Sequence, residues 1–387
     1  MVVLETIFII VLFLMLHTYF LYPISIYLIC QLKGKATHGS VEKYSTVSIL
    51  IAAYNEEKVI RERIENLSEA HKEFQYFEVL VGSDNSSDST NDILIELSKK
   101  YEWLKFYNFQ VRNGKAGILN KLYQEAKGEI LVFTDANTVF QRDALSVLLR
   151  GFQDLTVGGV CGRLILNDDR VQINEPLEER RYWRYETQIK QMEGKLGILI
   201  GANGGIFAIK KDLFQEIPVN RPVTDDLFLT LNVLSKGYKF IYERDAIAFE
   251  DVGQNVQTEF KRKVRFSATN FQTIAFFKDF LFFRPALVSY AFLSHKVIRW
   301  FFPFLAIFLF ILTVLIAREK VLYQYFLYTQ ILFFVLAFLG YLMTKLKKKL
   351  TIFSIPFFFI MANTAIILGL AKYISNSHSV IWESTKR

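Results

Sequence analysis

The strongest constraint on this chain is the placement of its charge-free stretches. Residues 6–32, 300–317, 321–344 and 350–371 contain no Asp, Glu, Lys or Arg. A helix needs about 20 apolar residues to cross the hydrocarbon of a bilayer, where each backbone polar group must be satisfied inside its own segment. The four stretches therefore read as four transmembrane helices. The opening MVVLE has no basic residue, and the apolar part behind it is long, so a span fits the first stretch better than a cleaved leader. Composition agrees: 52% of the 387 residues are hydrophobic, and the 37 Phe and 19 Tyr are more aromatic surface than one core of this size needs. Disorder and collagen are excluded. Cys30 and Cys161 are the two cysteines, which excludes a disulfide framework or a Cys-based metal site and fits a reducing compartment.

The net charge of +8 divides unevenly. From residue 255 onward there are 17 Lys and Arg against 4 Asp and Glu, and before it 29 against 34, so the front carries −5 and the back +13. The basic excess lies among the apolar stretches, where it faces anionic headgroups, and no basic-aromatic motif for nucleic acid accompanies it. Nucleic acid is not an expected partner; membrane lipids are. Lys33 and Lys35 follow the first span, and Lys345, Lys347, Lys348 and Lys349 separate the last two. The positive-inside rule places both groups in the cytoplasm, which puts residues 33–299 inside, 318–320 outside and the C-terminus outside, in a multi-pass protein of the plasma membrane.

Between the spans, residues 44–254 alternate β-branched runs with amphipathic stretches and read as an α/β domain. Strands are expected at 47–53, 77–83 and 129–134, and helices at 56–72, 89–100, 118–126 and 227–235, with Asp88 or Ser89 capping the second helix. Such spacing predicts a parallel sheet with ligands at the carboxyl ends of its strands. Tyr54-Asn55-Glu56 and Asp84–Thr90 stand at two such ends. They either turn the chain and cap helices or meet a base and ribose. Asp135 and Asn137, in TDANT, project to one side of an extended segment and offer two oxygen ligands for Mg²⁺ or Mn²⁺, unless they form a surface turn. Lys115 lies between two glycines before a helix, where phosphate or water can meet it. Asp225-Asp226 either caps the next helix or supplies a general base.

Taken in order, AAYNE, SDNSSDST, GKAGILN, TDANT, GANGG and TDD resemble the family 2 glycosyltransferases, including membrane-embedded members related to cellulose and hyaluronan synthases. The resemblance covers about residues 45–275. It implies a GT-A fold, a Rossmann-like nucleotide-sugar domain inserted between transmembrane helices, and a hexosyl or N-acetylhexosaminyl donor carried by UDP. It also implies that Asp84, with Tyr54, Asn55 and Glu56, lines the nucleotide pocket, and that Lys115 lies beside the diphosphate. Asp135 would hold the metal, with Asn137 in place of a second Asp. Asp226 would be the base of an inverting transfer, and Asp225 its acidic neighbour. In the place of the Gln-x-x-Arg-Trp motif of processive synthases stand Arg262, Arg265 and Phe266, an expected acceptor or phosphate contact. Residues 255–299 are expected to lie as a basic, aromatic segment in the headgroup plane, and Glu178–Tyr185 forms either another interfacial stretch or a solvated helix. The resulting expectation is one sugar moved to a membrane-held, lipid-linked acceptor in surface polysaccharide or glycolipid synthesis. The alternatives are a processive synthase and a non-catalytic membrane scaffold.

Overall fold

The computed structural model describes residues 1–32, 46–70, 74, 76–167, 177–251, 256–282, 285–346 and 350–377. Lys33, Lys35, Lys347, Lys348, Lys349 and Arg284 lie outside these residues. The chain forms two compact units, a helical one and one built on a sheet.

Among the described residues the sheet unit has eight strands: β1 (Thr46–Ala53), β2 (Tyr76–Asp84), β3 (Leu104–Phe109), β4 (Ile130–Phe133), β5 (Thr138–Phe140), β6 (Val157–Asn167), β7 (Phe207–Lys210) and β8 (Lys239–Asp251). Their order is β3-β2-β1-β4-β7-β6-β8-β5. The β3-β2-β1-β4 half is parallel, as expected. The other half departs from the all-parallel reading: β7 runs antiparallel to β4 and β6, β8 is parallel to β6, and β5 is antiparallel to β8. From Val47 to Ala53, β1 is buried throughout, which accounts for its unbroken apolar run. Helix Gly114–Glu125 lies so close to β2 that a Cβ on Gly82 would come within 2.5 Å of Ile118 Cγ2. The first expected helix is shorter than 56–72, running Ile60–Leu67, because the chain reaches it through a turn at Asn55, whose φ is 54°. Helix Gly114–Glu125 starts four residues earlier than expected and so takes Lys115 into its first turn.

Among the described residues, four helices are long and apolar enough to cross a membrane: Val2–Leu32, Ala286–Ala317, Val321–Lys345 and Thr351–Ile374. Phe8 and Val11 of the first pack with Leu309, Leu312 and Ile316 of the second. Thr351–Ile374 crosses helix Val256–Phe276 at Gly369, where a Cβ would collide with Ser267. Within the segment expected in the headgroup plane, helix Val256–Phe276 packs on Thr351–Ile374, and residues 286–299 continue into the apolar helix that ends at Ala317. Lys296 and Arg299 are accommodated there because Glu186 pairs with both and with His295. Tyr185, from the Glu178–Tyr185 stretch, donates its hydroxyl to Tyr19 O at 2.7 Å.

Candidate active site

The carboxyl ends of β1, β2 and β4 carry the loops marked out by sequence. Asn55 and Asn85 follow β1 and β2 with φ of 54° and 59°, a left-handed backbone that asparagine tolerates. The two loops are laced together: Asn55 Oδ1 accepts from Ser87 N at 2.8 Å, and Glu56 N donates to Thr90 Oγ1 at 2.8 Å. Asp88 Oδ1 accepts from Thr90 N at 3.0 Å, so Asp88 carries the side-chain cap of helix Thr90–Lys100. Asp84 is fully buried. Its carboxylate accepts from Asn113 N at 2.5 Å, Gly114 N at 3.0 Å and Arg112 Nε at 3.1 Å. The Arg112 guanidinium also lies over the Tyr54 ring, 3.3 Å from its centroid. Tyr54, Asp84 and Arg112 therefore form one stack at the ends of β1 and β2.

A second cluster joins Lys115, Asp135, Asp225 and Asp226. Lys115 Nζ lies 2.9 Å from both Asp135 Oδ1 and Asp225 Oδ2. Burial pulls the lysine pKa down, but the two carboxylates outweigh burial and hold it above its ordinary value. Helix Asp225–Ser235 begins with the two aspartates, and Asp226 Oδ1 accepts from Leu227 N at 2.6 Å. Burial, and next the charge of Asp225, push Asp226 up to about 6, against the opposing pull of Lys115 and Lys190. Gly204 faces this cluster: a Cβ there would lie 3.4 Å from Asp226 Oδ2, 3.8 Å from Lys115 Nζ and 3.9 Å from Asp135 Oδ2. Glycine thus keeps open a small space walled by carboxylate oxygens.

That donor set suits a divalent ion. It is made of oxygens, two of its carboxylates already share a cation, and the glycine leaves room between them. Among the described residues no three His, Cys, Asp or Glu converge as a self-sufficient metal cage. Mg²⁺ and Mn²⁺ accept one or two protein carboxylates when substrate phosphates complete the shell, so the residues fit a metal that arrives with its substrate. Asn137 does not join the cluster through its amide nitrogen, which donates to Glu250 Oε1 at 3.1 Å. Arg262, Arg265 and Phe266 lie on helix Val256–Phe276 in the helical unit, with both guanidinia near the Phe266 ring, 5.9 and 5.3 Å from its centroid. The carboxylate cluster is built without them.

Several supporting residues were not assigned from sequence. Lys190 Nζ donates to Asn203 Oδ1 at 2.6 Å and holds the Gly201–Gly205 loop from the side. Thr230 accepts from Ala202 N at 3.1 Å and donates to Asp226 O at 2.6 Å. Arg63 Nη2 donates to Thr134 Oγ1 at 3.0 Å beneath the Asp135 loop. Burial lowers the Arg63 pKa to about 9, which leaves it charged at neutral pH. The signal for Arg63 was available: it shares the inward face of Ile60, Ile64 and Leu67, where an arginine is out of place.

The profile of glycosyl transferase family 2 matches residues 48–217. The chain is 25% identical over 236 residues to the poly-beta-1,6-N-acetyl-D-glucosamine synthase of Staphylococcus epidermidis, covering 60% of this chain and 56% of that protein. It is 40% identical over 116 residues to the beta-monoglucosyldiacylglycerol synthase of Trichormus variabilis, covering 30% of this chain and 25% of that one. The chain thus spans about half the length of the first curated relatives it matches. Among solved structures, a mannosyltransferase from Pyrobaculum calidifontis, in complex with GDP-Man and Mn²⁺, superposes with a TM-score of 0.69 at 19% identity. That match covers 96% of this chain and 99% of the other, and it shows a shared fold. The mixed α/β sheet is the GT-A fold, and residues 48–217 carry a glycosyl transferase family 2 domain.

Proposed function

We propose that the protein transfers one sugar, with inversion, from a UDP-sugar to a membrane-held, lipid-linked acceptor on the cytoplasmic face. The observation that carries this reading is the convergence of Lys115, Asp135, Asp225 and Asp226 around Gly204 at the strand ends. The base of the donor stacks on Tyr54 and gives its imide N–H to Asp84, with the Asn55-Glu56 loop beside it. Arg112 covers the Tyr54 ring, so donor entry displaces its guanidinium. Lys115 exchanges its carboxylates for the diphosphate. Asp135 would hold a Mg²⁺ or Mn²⁺, with Asn137 as the weaker neighbour, and the ion would supply positive charge against the departing diphosphate. Asp226 takes the acceptor hydroxyl proton as that oxygen bonds to the anomeric carbon. The sugar-phosphate bond breaks on the opposite face and its electron pair leaves with the diphosphate. No covalent sugar-enzyme intermediate is required.

The test is to incubate membranes holding the protein with a panel of radiolabelled UDP-sugars and a GDP-sugar, with and without chelator, and then to extract lipids. Label in the lipid phase, dependent on a UDP-sugar and lost with EDTA, supports the reading. Transfer from GDP-sugar alone overturns the donor assignment, and full activity in EDTA overturns the metal role of Asp135. The likeness to a poly-beta-1,6-N-acetyl-D-glucosamine synthase favours a second reading, a processive synthase, which product size distinguishes.

A further inference from the structure

We propose that Arg63 and Thr134 form a positioning pair that sets the Asp135 loop and the Gly201–Gly205 loop in register for the donor. The inference rests on the nucleotide-sugar reading above. Arg63 is 1% exposed. Its Nη2 donates to Thr134 Oγ1 at 3.0 Å, its Nη1 to Asn66 Oδ1 at 2.8 Å, and its guanidinium carbon lies 4.1 Å from the Phe140 ring centroid. The Thr134 hydroxyl in turn donates to Gly205 O at 2.8 Å. Asn66 Oδ1 also accepts from Phe140 N at 2.8 Å, and Asn66 Nδ2 donates to Phe140 O at 2.9 Å. The short helix Ile60–Leu67 thus grips segment 134–140 at both ends and reaches the glycine loop through one hydroxyl. Segment 134–140 carries Asp135, and the glycine loop carries Gly204, so the two walls of the cluster share a single anchor.

The chemistry argues for a role beyond filling space. Desolvating a guanidinium is expensive, and a well-packed apolar side chain of similar volume is often as stable or more so. Among the described residues Arg63 forms no ion pair, and its Nε has no hydrogen-bond partner. The carboxylate whose field it feels is Asp135. What the arginine provides is its rigid planar fork, which bonds Thr134 and Asn66 at once, a geometry that lysine cannot reproduce.

The experiment uses the full chain in detergent or nanodiscs and three variants: Thr134→Val, Arg63→Lys and Arg63→Met. UDP affinity in the presence of Mn²⁺ is read by calorimetry, alongside donor KM, kcat and thermal midpoint. Thr134→Val removes the hydroxyl with almost no change of shape, so it remains informative if Arg63→Met does not fold. The expected result is a loss of about tenfold in UDP–Mn²⁺ affinity for Thr134→Val, the scale of one broken buried hydrogen bond. Donor KM should rise in step, kcat at saturating donor should stay within about twofold, and Arg63→Lys should fail to rescue. Unchanged UDP affinity in both Thr134→Val and Arg63→Lys overturns the proposal. So does a fall in kcat and thermal midpoint at constant KM, which is the signature of general loosening. A wild-type chain that binds neither UDP nor GDP with Mn²⁺ overturns the nucleotide-sugar reading, and this inference with it.

Discussion

A carboxylate serves as a base near neutral pH when its surroundings raise its proton affinity without neutralising it. Asp226 has both conditions: burial and the charge of Asp225 push it up to about 6, while Lys115 pairs with Asp135 and Asp225. Transfer needs Asp226 ionised, so kcat/KM should fall tenfold per pH unit below about 6 and level off above it. A profile with no break between pH 5 and 7 would remove Asp226 from the base role. Asp226→Asn should cost at least about 10²-fold in transfer yet leave UDP affinity nearly intact, since the base acts on the acceptor. Near-normal turnover in that variant would reduce Asp226 to a helix cap and make Asp225 the candidate. These aspartates were legible in sequence because strand ends and helix starts collect polar residues for physical reasons. Arg63 is marked by its inward place on its helix, but Lys190 and Thr134 are not marked, since each acts on residues 12 to 71 positions away in the chain, a proximity that only the folded sheet creates.

Elements were legible where one pattern dominated. β1 and β4 are buried apolar runs and were found with nearly correct ends. β6 opens with Val-Gly-Gly-Val, and glycines ordinarily argue against a strand; here Gly159 lies under the Phe240 ring, where a Cβ would collide. β3 is an edge strand with its polar residues partly exposed, so it showed no apolar run to detect. The second apolar helix begins at Ala286, before residue 300, and takes in Lys296 and Arg299, whose partner Glu186 comes from more than a hundred residues earlier. A comparable network ties β1, β2 and β3 together: Glu78, buried in the sheet, pairs with Lys105 and accepts from Ser48 Oγ at 2.6 Å, Lys127 N at 2.6 Å and Tyr76 Oη at 2.8 Å. Burial works to raise the Glu78 pKa, but these four donors together outweigh it and hold it below the ordinary 4.5. The sign follows: its contribution is present above the unfolded value and is lost as pH falls below about 4.5 through the lower folded value. Glu78→Ala should destabilise the sheet unit by about 3 kcal/mol, because it strands buried donors. The check is denaturant unfolding at pH 7 and pH 3.5, with a smaller wild-type-to-variant gap at the lower pH. An equal gap at both would show that Glu78 contributes by packing alone.

At the scale of the whole molecule, two predictions concern where the protein works and what leaves it. The lysines around the apolar stretches and the proposed use of a nucleotide sugar both favour a cytoplasmic sheet domain. Single cysteines placed at Ser89 and Lys347 should resist an impermeant thiol reagent in intact cells, and one at Ser384 should react. Labelling at Ser89 from outside would reverse the topology. Product size is the sharper question, because one relative is named for a polymer and another for a glycolipid. A processive enzyme must hold its growing chain through successive rounds, and the aromatic and amide groups that such synthases use are replaced here by Phe266 and Arg262. The phenyl ring is 40% exposed and can still stack, at about 1 kcal/mol, but it offers no indole N–H. Purified protein given excess labelled donor and a lipid acceptor should therefore yield a single added sugar, stable on prolonged incubation. A ladder of products, or label retained as high-molecular-weight material, would establish processive synthesis, and Phe266→Trp would then be expected to lengthen the chains.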